Sequence, residues 1–303
     1  MFIHWLCAYL CIPLPDSLSH PCRHAATAIH FRCIDTPGLD RFYIMRGYFI
    51  GGCHVNAFPF AEEVGFSYQV GHDQNMKTCE VTPHTSIPKL PKAIAGIATA
   101  EKQVIVFQLG NYEFNGSLAS VLKTVFNLKL KRRKTAPASV TTPVLPAAVP
   151  TGLQIDPAFA SSKKTQALLS NQHKIKQCLL GRGYCLLYLF GFFVMNRHGV
   201  SFKVLNQFIA SHPRSCIIFL TPFPAVSYLD NQLRKLGGWI MRRKIKSLSN
   251  VHWIDTHQLI PAHENSFVDD AHITEQGHNL LANAINTVIE THMQKLQLTL
   301  PGC

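Results

Sequence analysis

Four short apolar runs, each closed by a turn, constrain this chain most. Tyr48-Phe49-Ile50 ends in Gly51-Gly52, and residues 104–109 (Val-Ile-Val-Phe-Gln-Leu) end at Gly110. Residues 216–220 (Cys-Ile-Ile-Phe-Leu) are followed by Thr-Pro-Phe-Pro, and residues 251–255 (Val-His-Trp-Ile-Asp) form the last run. None shows the strict apolar–polar alternation of a strand with one wet face, so each reads as a strand buried on both sides. Between and after them lie helical stretches. The clearest spans 274–293, where Leu280, Leu281, Ala284, Ile285, Val288 and Ile289 repeat on one helical face. Buried strands separated by helices predict an α/β protein: a three-layer α/β/α sandwich around a parallel sheet, with functional groups at the carboxyl ends of the strands.

Two stretches interrupt that scheme. Residues 129–164 start basic and continue through Pro137, Pro143, Pro146 and Pro150 with many Ala, Thr and Ser, the composition of a linker inserted in the domain. Residues 1–44 hold four cysteines, four histidines and four prolines without sustained periodicity. Their expected role is a disordered extension or a mis-assigned start, with translation beginning at Met45 and the domain spanning 45–298. Cys22, His24, His30 and Cys33 match no common zinc frame, and no metal or other cofactor is expected. The apolar stretch 5–14 is a poor secretory signal, having no basic segment before it, so a cytoplasmic protein is the expectation. Residues 185–195 are strongly apolar but eleven long, against about 20 for a spanning helix, and predict a buried core helix. Peripheral membrane contact stays open as the second reading of that segment.

The ten cysteines include no C-x-x-C pair. Most of them, Cys216 among them, read as reduced, buried, small apolar residues. The formal net charge is +12, and twelve cations lie in two acid-free stretches, six in 123–134 and six in 234–246. Solvated surface and linker are the plain reading of both, and a nucleic-acid partner is not expected.

Three local patterns can carry chemistry. In 268–282 (Val-Asp-Asp-Ala-His-Ile-Thr-Glu-Gln-Gly-His-Asn-Leu-Leu-Ala), Asp269 and His272 lie just before the amphipathic helix. From there Asp269 can fix one imidazole tautomer of His272 and stabilise its cation. The same stretch also reads as an ordinary helix N-cap region, with Asp270 or Thr274 capping and His272 merely exposed. Cys53 follows Gly51-Gly52 at the end of the first strand, where the backbone can turn sharply and a thiol beside a histidine becomes a nucleophile. A small Cys filling a tight turn is the plainer reading, and His54 reads as structural or substrate-facing. At the end of the second strand, Asn111 of Gly110-Asn111-Tyr112-Glu113 can donate to an oxyanion, or simply make a strand-end turn.

The order of these patterns (nucleophile after the first strand, Gly-Asn at a middle strand, Asp-x-x-His before the last helix) resembles the SGNH, or GDSL, hydrolase superfamily. The resemblance covers roughly residues 45–115 and 200–295, and its most specific part is Asp269-x-x-His272 followed by Gly277-His278 and Leu281-Ala282. It implies a flavodoxin-like α/β/α domain that hydrolyses carboxylic esters, with a small-molecule or glycan ester as substrate and an acyl group on a carbohydrate as one example. The family's Gly-Asp-Ser reads Gly51-Gly52-Cys53 here. Its Gly-x-Asn-Asp reads Gly110-Asn111-Tyr112-Glu113, with the Asn one position early. The implied site is a Cys53–His272–Asp269 triad, with the backbone N–H of Cys53, Asn111 and Gly71 around the oxyanion. A catalytically silent glycan- or lipid-binding protein of the same fold is the alternative, and a nucleic-acid or anionic-membrane binder using the basic stretches is the second.

Overall fold

The computed structural model describes residues 29–32, 45–99, 103–127, 171–269 and 272–299. Its centre is a six-stranded sheet. The strands are β1 (Ile29–Arg32), β2 (Arg46–Gly51), β3 (Thr78–Thr82), β4 (Gln103–Gln108), β5 (Cys216–Leu220) and β6 (Val251–Ile254), in the order β1-β3-β2-β4-β5-β6. β2 through β6 are mutually parallel, and β1 runs antiparallel along the β3 edge. The four expected strands are all present. β3 and β1 are additions, and β1 lies inside the segment expected to stand outside the fold. The rest of residues 1–44, including Cys22, His24 and Cys33, and the linker at 129–164 lie outside the described residues.

Helices cover both faces, giving the three layers. On one side lie α2 (Leu90–Ile94), α3 (Leu118–Phe126), α4 (Asn171–Leu189), α5 (Gly199–Ser211) and α6 (Tyr228–Lys244). On the other lie α1 (Phe66–Asp73) and α8 (Glu275–Thr299), with the short α7 (Thr256–Leu259) joining β6 to the loop that leads into α8. Successive residues of a strand point to opposite faces. Accordingly Tyr48 and Ile50, Ile105 and Phe107, and Ile217 and Phe219 enter a core with Val121, Leu205, Leu233 and Ile240. Phe49, Val104, Val106, Ile218 and Leu220 enter a second core with Phe66, Val70, Leu281, Ile285 and Ile289. All residues of β4 and β5 are buried, which is why their runs lack alternation. β3 does alternate, burying Cys79 and Val81 and leaving Thr78, Glu80 and Thr82 half-buried.

The apolar segment 185–195 departs from a plain core helix. α4 ends at Leu189 and continues as a wide turn over Phe190–Val194. Tyr188, Gly191 and Phe192 are buried, whereas Leu186, Phe190, Phe193, Val194 and Met195 are exposed. Among the described residues no helix is long and apolar enough to cross a membrane. Arg234, counted above with the basic surface stretch, is 6% exposed, because it lies on the sheet-facing side of α6 and spends its guanidinium on backbone carbonyls.

The close seating of α6 depends on one glycine. A Cβ on Gly237 would overlap the ring of Phe114, which is fully buried and held between Tyr188 and Phe192 at centroid distances of 5.2 Å each. A fully buried ring packed against two others shifts only by displacing them. Gly237→Ala is therefore expected to destabilise the fold by about 1–3 kcal/mol, despite the better helix propensity of Ala. Thermal unfolding of the two proteins measures the difference.

Candidate active site

The carboxyl ends of β2 and β4 set the geometry. Their pairing places Gly51 opposite Gln108. A Cβ on Gly51 would lie 2.7 Å from the Cβ of Gln108, so only glycine permits this approach. The backbone N–H of Gly52 donates to Gln108 Oε1 at 2.8 Å, and the chain then enters a 3₁₀ turn, Cys53–Asn56. Gln108 thus braces the turn from beneath and delivers Cys53, partly exposed, at the rim of the sheet.

Opposite it stands the loop before α8. Phe267 and Ile273 form an antiparallel bridge, and Val268 N–H donates to the carbonyl of His272 at 2.8 Å. Inside this tight loop Asp269 uses both carboxylate oxygens on one residue. Oδ1 accepts from the backbone N–H of His272 at 2.8 Å, and Oδ2 meets the ring Nδ1 at 2.7 Å. With Nδ1–H committed to a carboxylate, Nε2 is the nitrogen left for chemistry. It lies 3.2 Å from the Sγ of Cys53. Thr274 does act as a cap, its Oγ1 accepting from Gly277 N–H at 3.4 Å, but His272 is buried rather than merely exposed, and Asp269 orients its ring.

Burial alone would raise the thiol pKa of Cys53, but the adjacent His54 and the hydrogen bonds from His272 and His54 outweigh it, holding the thiol at about 5. Burial would likewise lower His272, yet its hydrogen bonds to Asp269 and Cys53 and their charges lift it to about 9. The two groups titrate as a pair. Between those limits the favoured state is a thiolate beside an imidazolium.

Asn111, at the end of β4, is fixed by the segment after β5. Its Oδ1 accepts from the backbone N–H of Phe223 at 2.8 Å, which turns its Nδ2 toward His54 Nδ1 at 3.4 Å. His54 is buried, packs edge-on to Phe223 at 4.5 Å, and has Nδ1 3.8 Å from the Cys53 sulfur. Cys53, His54, Asn111 and His272 therefore share one corner. Phe58 packs against the His272 ring at 5.0 Å, and the ring of Tyr112 borders the Gly52 turn.

Gly71 does not join them. It sits within α1, where its backbone N–H belongs to the helical ladder, and it packs against Cys79 on the far side of the turn. The expected oxyanion role is therefore corrected: beyond the first helical turn the Gly71 N–H is spent within the helix and is not offered to a substrate. Two contributors lay beyond the sequence patterns. The loop after β3 brings His84, with φ of 56°, to the rim, where its Nδ1 meets Tyr112 Oη at 3.0 Å. Arg234 of α6 donates from Nη1 to the carbonyls of Phe223 (3.1 Å) and Pro224 (2.9 Å), steadying the very segment that pins Asn111. Beside Lys235 in a basic stretch, Arg234 carried no sequence signal of burial.

No family model and no curated protein matches this chain. Solved structures similar to it include a lipolytic protein of the G-D-S-L family from Veillonella parvula, at 9% identity and a TM-score of 0.40, with 79% of this chain and 94% of that one covered. Another is a putative lipolytic protein of the same family from Desulfitobacterium hafniense, at 10% identity and a TM-score of 0.41, with 81% and 99% covered. A third is a family two carbohydrate esterase from Clostridium thermocellum solved with cellohexaose, at 10% identity and a TM-score of 0.40, covering 82% of this chain and 65% of that one.

Beside this corner Glu113 is a buried carboxyl whose Oε1 accepts from Ile87 N–H at 2.7 Å. Burial raises its pKa from 4.5 to about 7 against the lowering effect of that bond. The folded state thus holds its proton at pH values where the unfolded chain has released it. This contribution is complete below about pH 4.5 and is lost as pH rises to about 7, an effect on the order of 3 kcal/mol. Glu113→Gln should flatten the fall of Tm with pH across that window. A slope equal to the parent's would show that Glu113 does not titrate there.

Proposed function

We propose that the protein is a thiol-dependent ester hydrolase, in which Cys53 attacks, His272 carries protons and Asp269 orients His272. The observation that carries this reading is the continuous line of contacts, Asp269 Oδ2 to His272 Nδ1 at 2.7 Å and His272 Nε2 to Cys53 Sγ at 3.2 Å, around a thiol held at about 5. A cysteine on which burial alone acts has its thiol pushed up instead, as Cys185 in α4 does, to about 11.

The chemistry closes without an added cofactor. The Cys53 thiolate forms a C–S bond to the ester carbonyl carbon, and the π pair moves to the oxygen. The backbone N–H of Cys53 and the Nδ2 of Asn111 are the donors for that oxyanion. As the tetrahedral species collapses, the C–O bond to the alcohol breaks and the leaving oxygen takes the proton from His272 Nε2. The neutral imidazole then removes a proton from water, whose oxygen attacks the thioester. Breaking the C–S bond releases the carboxylic acid and restores the thiolate–imidazolium pair. Asp269 stays ionised throughout and holds the ring in place.

The substrate class we favour is a small acyl ester of a carbohydrate. Phe58, packed on the His272 ring, and Tyr112, beside the Gly52 turn, are the aromatic residues on which a sugar ring would rest, while His84 and the Tyr112 hydroxyl would supply polar contacts. The carbohydrate esterase solved with cellohexaose is a similarly folded protein that holds a glucan.

Hydrolysis of short-chain p-nitrophenyl esters and of acetylated sugars tests this. Turnover is expected in the native protein and lost in Cys53→Ala and in His272→Ala, and Asn111→Ala should lower kcat by about 10²–10³-fold. The competent ionic form exists between the two pKa values, so kcat/KM should rise through about pH 5 and fall through about pH 9. Activity that persists in folded Cys53→Ala would overturn the nucleophile assignment.

A further inference from the structure

At the opposite, amino-terminal end of the sheet lies a second cluster of ligating side chains that the esterase chemistry does not use. Cys216 is the first residue of β5, His252 the second of β6, and His292 projects from α8. His252 pairs with Ile218, so Cys216 and His252 lie on the same face of adjacent strands, the one covered by α8. The Nε2 of His252 and the Nδ1 of His292 stand 3.0 Å apart with their rings nearly perpendicular, at 86°. One ligand atom from each of the three residues lies within 4.8 Å of the others. Cys216 and His292 are buried and His252 is partly so.

We infer that Cys216, His252 and His292 form a binding site for a divalent zinc-type ion. One thiolate and two imidazoles suit a borderline-soft metal and disfavour Mg²⁺ and Ca²⁺, which take oxygen ligands. Tetrahedral bond lengths of about 2.0–2.1 Å to nitrogen and 2.3 Å to sulfur put two ligating nitrogens about 3.3 Å apart and nitrogen and sulfur about 3.6 Å apart. The cluster is within small side-chain adjustments of those separations. Three protein ligands leave the fourth tetrahedral position to water. Binding replaces the thiol proton by the metal, and that proton passes to solvent.

Such an ion ties three elements together. It links the starts of β5 and β6 to α8, the helix whose first turn follows His272 directly. His292 lies seventeen residues beyond Glu275, about 26 Å along the helix, so the ion acts through the seating of α8 rather than on a substrate. The proposal does not depend on the esterase reading.

Titration of the full chain with Co²⁺ under a non-chelating reductant tests it. The expected result is near-ultraviolet thiolate-to-cobalt charge transfer with the visible bands of a tetrahedral site, saturating at one equivalent and displaced by Zn²⁺. Both signals should disappear in Cys216→Val and be retained in Cys53→Ala, which removes the other thiol that stands beside histidines among the described residues. If Cys216→Val fails to fold, His292→Gln decides: its visible spectrum should lose the tetrahedral intensity, and Zn²⁺ should raise the Tm of the parent but not of this variant. No charge transfer in the parent, a spectrum unchanged in either variant, or one lost in Cys53→Ala would overturn the proposal. A plain hydrogen-bonded imidazole pair beside an unreactive thiol gives the first of those results.

Discussion

Everything at the candidate active site depends on how closely β2 and β4 approach at their carboxyl ends. Gly51 faces Gln108 with no room for a side chain, and Gln108 in turn holds the backbone of Gly52. That contact decides where Cys53 leaves the sheet and how near it comes to Asn111, which leaves the neighbouring strand. The buried faces of the sheet supply the rigidity behind it. The two apolar cores lock β2, β4 and β5 in register, and the functional groups sit in strand-end loops where side chains can meet solvent.

The electrostatics follow from that placement. A carboxylate bound twice by His272 makes the imidazole basic, and the adjacent His54 together with that imidazole at 3.2 Å makes the thiol acidic. Desolvation opposes both charges singly but favours their attraction once paired. A glycine at position 52 fits the same picture, because the site next to its Cα is filled by the Gln108 amide oxygen. Arg234, buried, adds a positive charge behind the segment that fixes Asn111, and the fields of Asp230, Cys53 and Asp269 reach it.

Sequence legibility tracked the range of the interactions involved. The four buried strands were readable because burial on both faces writes continuous apolar runs. β3 was not, since Thr-Cys-Glu-Val-Thr carries a charge and buries one face only. Asp269 and His272 were readable because their partnership spans three residues. Asn111 was readable as a type of residue, whereas its orientation comes from Phe223, far along the chain. Gly71 misled because a glycine's sequence neighbours do not reveal that its N–H is already spent inside a helix. Cys216 read as a plain core residue because His252 and His292 reach it only through tertiary packing.

The account's central claim is that Cys53 is ionised near neutrality because two imidazoles, that of the adjacent His54 and that of His272 oriented by Asp269, stand against it. The rate of Cys53 alkylation by iodoacetamide as a function of pH, followed by peptide mass spectrometry, measures this directly in the native protein and in His272→Ala. The prediction is a native midpoint at about 5 and, in His272→Ala, which keeps His54, a rise part of the way toward the ordinary thiol value of 9.0. A native midpoint already at that ordinary value would contradict it, leaving Cys53 a thiol that the pair does not activate.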